Sequence, residues 1–97
     1  MTLEFHDGDE MNHFFFGDDS NKEKIYESIT KSISKGISNK MDIVPVWEIT
    51  FNNGDDDLII DCERKDWNEN LGNALNWYIE QEEYEKCTYI KNLINKL

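Results

Sequence analysis

The chain has 97 residues, enough for one small domain, and a chain of this length buries only about two-thirds of its unfolded surface. Hydrophobic residues make up 38% and charged residues 32%, a balance that is typical of a soluble folded protein and excludes wholesale disorder. Asp and Glu number 21 against 10 Lys and Arg, and the resulting charge of −11 disfavours direct binding to nucleic acid or to an anionic membrane.

No apolar run reaches the roughly 18 residues of a membrane-spanning helix, and no basic-then-apolar leader opens the chain. We therefore expect a cytoplasmic protein.

Residues 1–19 form an acidic extension with two aromatic groups. Leu3 and Phe5 alternate as in a strand, the pair Asp7-Gly8 indicates a turn, and residues 14–16 are three consecutive Phe. Two interpretations follow: a short strand or hairpin docked on the domain, or a flexible tail. We favour docking, because an exposed aromatic triplet promotes aggregation.

Residues 21–38 are predicted to form an amphipathic helix. Ser20 followed by Glu23 fits a capping box at its start, and Gly36 and Asn39 are expected to end it. The apolar residues lie within one arc of about 120° on the helix. They are Ile25, Tyr26, Ile29, Ile33 and Ile37.

Residues 43–63 are predicted to form an antiparallel β-hairpin around a two-residue type I′ turn at Asn53-Gly54. This turn pairs Phe51 with Asp56, Ile49 with Leu58, Trp47 with Ile60 and Pro45 with Cys62 on a largely apolar face. The other, mixed face pairs Thr50 with Asp57, Glu48 with Ile59, Val46 with Asp61 and Val44 with Glu63. Because Pro45 cannot donate a ladder hydrogen bond, the strand is expected to be at a sheet edge there.

Residues 66–97 are predicted to form an antiparallel two-helix hairpin, with a capping box at Asp66 and Glu69 and an acidic turn at 80–83. The apolar face of the first helix contains Trp67, Leu71, Ala74, Leu75, Tyr78 and Ile79, and that of the second contains Tyr84, Cys87, Ile90, Leu93, Ile94 and Leu97. Trp77 and Tyr89 fall outside these faces. They are either exposed anchors for a partner or side chains that pack on the sheet or on the first helix.

The predicted fold is therefore α+β: an N-terminal extension or short strands, an amphipathic helix, an antiparallel β-hairpin and a C-terminal two-helix hairpin. The predicted core consists of Ile25, Ile29, Ile33, Trp47, Ile49, Leu58, Ile60, Leu71, Leu75, Ile79, Tyr84, Ile90 and Ile94.

Nothing in the sequence indicates an enzyme. It has no Ser/His/Asp or Cys/His spacing and no glycine-rich phosphate loop. Cys62 and Cys87 are 25 positions apart without a CxxC motif, which favours buried free thiols over a zinc or redox site. We predict no catalytic residues, no metal and no cofactor.

Residues 71–97 resemble the UVR motif of the UvrB and UvrC excision-repair subunits, which also occurs in bacterial arginine-kinase activators and in small phage and bacterial proteins. The first-helix positions of the motif match Leu71, Ala74, Leu75 and Ile79, and its acidic turn and second helix start match Glu82, Glu83, Tyr84, Glu85 and Lys86. Cys87 stands in the small-residue position, and Lys91-Asn92 replaces the usual Arg-Asp pair. In the family this hairpin associates with itself or docks on a similar hairpin of a partner.

The resemblance implies a small adaptor or regulatory protein of phage or bacterial origin that binds another protein through its C-terminal hairpin. The expected partner has a basic or helical-hairpin surface, and a second copy of the chain is a further candidate. The candidate contact residues are Trp77, Tyr89, Glu82, Glu83, Glu85 and Lys86. The alternative is an acidic inhibitor that imitates the phosphate charge of a nucleic acid and so blocks a nucleic-acid-binding protein.

Overall fold

The computed structural model describes all 97 residues and shows an α+β fold with a three-stranded sheet and four α-helices. The elements in chain order are β1 (Thr2–Phe5), α1 (Gly8–Asn12), α2 (Lys22–Ser38), β2 (Ile43–Phe51), β3 (Leu58–Glu63), α3 (Arg64–Glu80) and α4 (Tyr84–Asn95). A π-helical turn (His13–Gly17) and a 3-10 turn (Asp19–Asn21) connect α1 to α2. No helix combines the length and the apolar character that are needed to cross a membrane.

The sheet is mixed, with the strand order β1-β2-β3. β2 and β3 pair in the antiparallel sense, as predicted, but β1 pairs with β2 in parallel, with Thr2 beside Glu48 and Phe5 beside Phe51. The prediction of an antiparallel arrangement is therefore correct only for the hairpin. Parallel neighbours need a crossover connection, and α2 supplies it between β1 and β2.

The N-terminal extension is docked, as favoured above, and it does not form a hairpin. Phe5 is buried, and the ring of Phe15 lies 4.9 Å from that of Trp47 and 5.1 Å from that of Phe14. Asp7 forms no β-turn, because its Oδ1 accepts from the backbone N–H of Glu10 at 3.0 Å and so caps α1. Phe5, Phe14 and Phe15 thereby help to cover one face of the sheet, whereas Phe16 remains exposed.

The hairpin turn differs from the prediction. Within the turn only Gly54 has a positive φ, at 91°, so the turn is not of type I′. Residues 52–57 form a six-residue connection between the strands. The backbone N–H groups of Asn52 and Asn53 donate to Phe5 and His6, which fixes the loop to the end of β1. The ladder consequently ends at Ile49–Leu58, and the predicted pairs of Thr50 and Phe51 do not form.

A bulge at Val46 shifts the pairing of β2 with β3, so the predicted register is right on one side of it and wrong on the other. The pairs Trp47–Ile60, Glu48–Ile59 and Ile49–Leu58 are as predicted, but Pro45 then pairs with Asp61, and Val44 with Cys62. An extra residue on one strand changes which face its neighbours occupy. Val44 and Val46 are therefore buried together with Trp47, although the two-residue turn placed them on the mixed face. β1 reaches only as far as Glu48, so β2 is indeed at an edge at Pro45.

Both predicted capping boxes are wrong. The side chain of Asp18, not Ser20, caps the turn before α2, and Glu23 forms an ion pair with Lys86 of α4. α3 begins at Arg64 without a loop after β3, because the Arg64 N–H donates to the Asp42 carbonyl at 2.8 Å and its side chain reaches Met41. Asp66 thus lies inside the first turn of α3.

Most of the predicted core is buried or partly buried, with three exceptions. Ile33, Trp47, Ile49, Leu71 and Ile90 are buried. Leu58, Ile79 and Tyr84 are exposed, so their assignment to the core is wrong. Each of them lies at or next to the end of its strand or helix, where fewer neighbours cover a side chain.

Gly36 does not end α2 but lies buried within it, where the helix packs closely on two other elements. A Cβ at this position would be 2.7 Å from Cη2 of Trp67 in α3 and closer still to Cγ1 of Val44 in β2. The helix ends at Ser38, and Lys40 follows with a φ of 55°. Glycine at position 36 therefore sets the distance between α2, β2 and α3.

We predict that Gly36→Ala lowers the free energy of unfolding by about 2 kcal/mol, because the added methyl group overpacks the contact with Val44 and Trp67. Gly72→Ala is the matched control, since Gly72 is also helical and has no atom near its Cβ position. This control should gain about 0.5–1 kcal/mol from the better helix propensity of Ala. Urea unfolding measures both changes, and an equal gain in the two variants would contradict the close packing of α2.

Candidate interaction surfaces

The C-terminal helix pair (α3 and α4) makes two polar contacts with α2 in addition to its apolar packing. Lys86 forms an ion pair with Glu23 of α2, and its ammonium group lies 5.1 Å from the centre of the Tyr78 ring. The hydroxyl group of Tyr89 hydrogen-bonds with Ser34 Oγ at 2.8 Å. Lys86 and Tyr89, two of the predicted contact residues, therefore already have partners within the chain.

A hydrogen bond and burial raise the pKa values of Lys86 and Tyr78, two groups on the inner side of the helix pair, towards α2. The hydrogen bond to Glu23 raises the pKa of Lys86 above its ordinary value, so the ammonium form is favoured. Burial raises the pKa of Tyr78 to about 12, since a phenolate would lose its hydration there. The nearby carboxylates of Glu23 and Glu27 act in the same direction.

Trp77 lies half-buried between the helix pair and α2. Its ring centre is 5.7 Å from that of Tyr26 in α2 and 5.0 Å from that of Tyr78. Of the two interpretations, packing on the first long helix therefore describes Trp77, whereas Tyr89 is 48% exposed and hydrogen-bonds to α2 through its hydroxyl group. The helical pattern could not decide this, because a residue just outside one apolar face can still contact a third element.

Residues 79–85, which span the connection between α3 and α4, are called the tip. They present a different set of side chains to solvent. Ile79 and Tyr84 are 44% and 64% exposed. Glu82, Glu83 and Glu85, three of the predicted contact residues, are exposed around them, and none of the three forms an ion pair. Glu82 has a φ of 58°, which turns the chain sharply between the helices. The tip therefore presents two exposed apolar side chains and three unpaired carboxylates within one short segment.

The sequence placed Ile79 and Tyr84 in the core, so their position at the tip was missed. Their position beside the acidic turn could have indicated their exposure, because the outermost turns of two paired helices have the fewest neighbours. Of the six predicted contact residues, the structure groups the three Glu at the tip and places Trp77, Tyr89 and Lys86 towards α2.

A second surface is the face of the sheet that no helix covers, here called the open face. Strand alternation and the pairing register place Glu48, Ile59 and Asp61 on it, and all three are exposed. Ile59 is 66% exposed, an unusual environment for a large aliphatic side chain. Neither Glu48 nor Asp61 forms an ion pair. The open face therefore also combines apolar and unpaired acidic groups.

The outer edge of β3 borders the open face, and no strand pairs with it. No hydrogen bond outside the sheet involves residues 58–61, whereas the carbonyl of Cys62 accepts from Nε1 of Trp67 at 3.0 Å. The outward backbone groups of residues 58–61 are thus free to bind another chain.

A cleft of about 490 Å³ opens on the covered side of the sheet. Phe15, Tyr26, Trp47 and Ile60 line it, and Phe16, which is 88% exposed, lies at its rim. Lys22 is the one charged residue that lines it. This volume is large enough for one or two apolar side chains of a partner.

The residue types that carry metal and nucleophilic chemistry are not brought together. No group of three or more His, Cys, Asp or Glu side chains is placed to hold a metal ion. Cys62 and Cys87 are buried free thiols, and burial raises the pKa of the Cys62 thiol, which disfavours the thiolate. Asn70 donates to the sulfur of Cys62 at 2.9 Å.

Comparison of the chain with protein-family models, with curated protein sequences and with solved structures found no match. The likeness of residues 71–97 to the UVR motif consequently rests on the quoted residues alone.

We predict that Trp77→Ala lowers the free energy of unfolding by about 2 kcal/mol, because it removes the ring that packs on Tyr26 and Tyr78. Tyr89→Phe retains its ring, loses only the hydrogen bond to Ser34, and should cost about 0.5 kcal/mol. Chemical denaturation compares the two. An unchanged stability of Trp77→Ala would show that the ring does not contribute to docking.

The pKa of Tyr78 predicts a loss of stability in alkali. The group is neutral when folded up to about pH 12 but ionises in the unfolded chain near its ordinary value of 10.0. The unfolded state therefore binds fewer protons in this window, and the free energy of unfolding falls as the pH rises from 10 towards 12. Tyr78→Phe should show a smaller fall between these pH values in urea titrations, and an identical slope in both proteins would refute the assignment.

Proposed function

We propose that the chain is a small adaptor or regulatory protein that binds another protein through its C-terminal helix pair. The observation that carries the proposal is the tip, where Ile79 and Tyr84 are exposed among unpaired carboxylates. Interfaces of this kind combine a small apolar centre with a charged rim, and Tyr is among the residues that contribute most to binding.

The inner contacts of the helix pair support this proposal because they involve Trp77 and Lys86 and leave the side chains of the tip exposed. The Lys86–Glu23 ion pair and the contact of the Trp77 ring with that of Tyr26 join α4 and α3 to α2. A rigidly held binding element loses less conformational entropy on association than a mobile one. Trp77, Tyr89 and Lys86 would then act as supports for the contact surface, and Glu82, Glu83 and Glu85 as part of it.

The unpaired carboxylates of the tip favour a partner with a basic surface at the contact. The likeness to the UVR motif adds a helical hairpin as the expected partner structure, including that of a second copy. Two identical tips would bring like charges together, which disfavours a dimer formed tip to tip. We therefore propose a different protein as the partner.

A nucleic-acid mimic is the second candidate, and the unpaired carboxylates of the open face favour it. Glu4, Glu48 and Asp61 lie on three neighbouring strands of one surface. Ile59 lies between two of these carboxylates, however, and an apolar side chain has no counterpart in a phosphate backbone. The open face therefore suits a mimic less well than a protein contact.

We predict that the double variant Ile79→Ser, Tyr84→Ser keeps the stability of the wild type within about 1 kcal/mol but loses partner binding by tenfold or more. Proteins retained from the native host by the wild-type chain are identified and purified, and their affinities for both forms are measured by calorimetry. Asn73→Ala, an exposed position in the middle of α3, is the control and should bind as the wild type does.

Salt separates the two candidate functions. Tip binding with an apolar centre should persist between about 50 and 300 mM salt, whereas binding by a phosphate mimic should weaken about tenfold or more. A partner that binds the double variant and the wild type equally would refute the role of the tip, whatever its response to salt.

A further inference from the structure

The outer edge of β3 has only part of the protection that exposed strand edges usually carry, namely the acidic side chains Asp61 and Glu63. Natural edges are blocked by charged side chains, especially Lys, by Pro, by a bulge in a short edge strand, or by a covering element. Leu58–Glu63 contains neither Lys nor Pro, and the bulge of this hairpin lies in β2. Ile59 projects from the edge strand with two-thirds of its surface exposed. The edge is therefore protected against another acidic strand but open to a strand that carries basic side chains.

The surroundings of this edge define what an added strand would carry. Successive side chains of a strand point to opposite faces of the sheet. On the open face, the added side chains would lie beside Ile59 and the unpaired carboxylate of Asp61. On the covered face, they would lie beside Ile60, at the cleft that Phe15 and Trp47 also line. The first set suits basic side chains with long apolar stems, and the second suits apolar ones.

A second copy of the chain is a poor occupant of the edge. Antiparallel pairing of two β3 strands would bring Asp57, Asp61 and Glu63 of both copies together, and like charges on adjacent strands are destabilising. Each chain also carries a net charge of −11, which opposes association of two copies. A basic segment of another protein relieves both effects.

We propose that residues 58–61 of β3 bind an extended segment of a partner protein, with alternating basic and apolar side chains, as a fourth strand of the sheet. This surface is separate from the tip, so the proposal goes beyond the function given above. Backbone hydrogen bonds supply affinity in this mode of recognition, and the alternating side chains supply specificity.

The probe is a blocked peptide of about eight residues in which Lys and Val alternate, with a Glu–Val peptide of the same length as the control. Backbone amide resonances of the full chain are followed by NMR during titration to about 1 mM peptide. We expect shifts and slowed amide exchange within residues 58–61, at least tenfold weaker binding of the Glu–Val peptide, and loss of binding when alternate peptide amides are methylated.

Ile59→Lys tests the edge directly, since an inserted Lys is the protection that natural edges use. This substitution at an exposed position should lower the affinity for the Lys–Val peptide tenfold or more. Asn73→Lys adds the same charge on α3 and should change that affinity less than twofold. The tip variant should bind the peptide as the wild type does, so failure of either surface leaves the other test intact.

Three outcomes overturn the proposal: no change within residues 58–61 at the highest peptide concentration, equal binding by Ile59→Lys, or changes confined to other residues. Self-association of the wild type through β3, detected by sedimentation equilibrium and abolished by Ile59→Lys, would overturn it in favour of a second copy.

Discussion

The whole structure depends on the absence of a side chain at Gly36. At this one position α2 comes within contact distance of Val44 in the sheet and of Trp67 in the helix pair. The core of this small chain is assembled where two elements, β2 and α3, must both touch one helix. A helix with any larger residue there would be held away from one of them, and Trp67 would lose its complete burial. The hydrogen bond from Trp67 to the Cys62 carbonyl then fixes α3 at the end of β3. The orientation of the helix pair, and with it the position of the tip, follows from this contact.

The fold was predictable where local pattern and tertiary packing agree. The outer bounds of the hairpin, 43 and 63, are those observed, and the 21–38 helix is correct to within one residue, because alternation and helical periodicity are strong in both segments. The bulge at Val46 was not predictable, since it lets Val44, Val46 and Trp47 share one buried face against strict alternation. The parallel pairing of β1 was missed for a related reason. Its partner is more than 40 residues away, and no local signal states the direction of such a pairing.

The candidate surfaces were likewise predictable from local sequence only in part, because some of their residues depend on tertiary contacts. The acidic turn at the tip could be predicted from composition alone, and its three Glu are exposed as a solvated turn requires. The contacts of Trp77, Tyr89 and Lys86 could not, because each depends on which residues of α2 lie opposite. Glu23 illustrates the point: its spacing from Ser20 is that of a capping box, yet it pairs with a Lys that is 63 residues away. A distant charge of opposite sign thus outweighed a local backbone contact. Tertiary context also explains Ile79 and Tyr84, which have the right helical phase for burial but no element opposite them.

The distribution of charge connects the two proposed surfaces. Lys22, Lys31 and Lys86, three of the ten basic residues, are paired with carboxylates on or next to α2. The carboxylates of the tip and of the open face have no such partners. Apolar groups at a charged surface of one sign are poorly suited to contact with another copy, because association would bring that charge together in a partly desolvated interface. A partner with cations beside an apolar centre removes this cost and gains the burial of Ile79 and Tyr84, or of Ile59. The same argument therefore favours basic proteins over a second copy of the chain as the partners of both proposed surfaces.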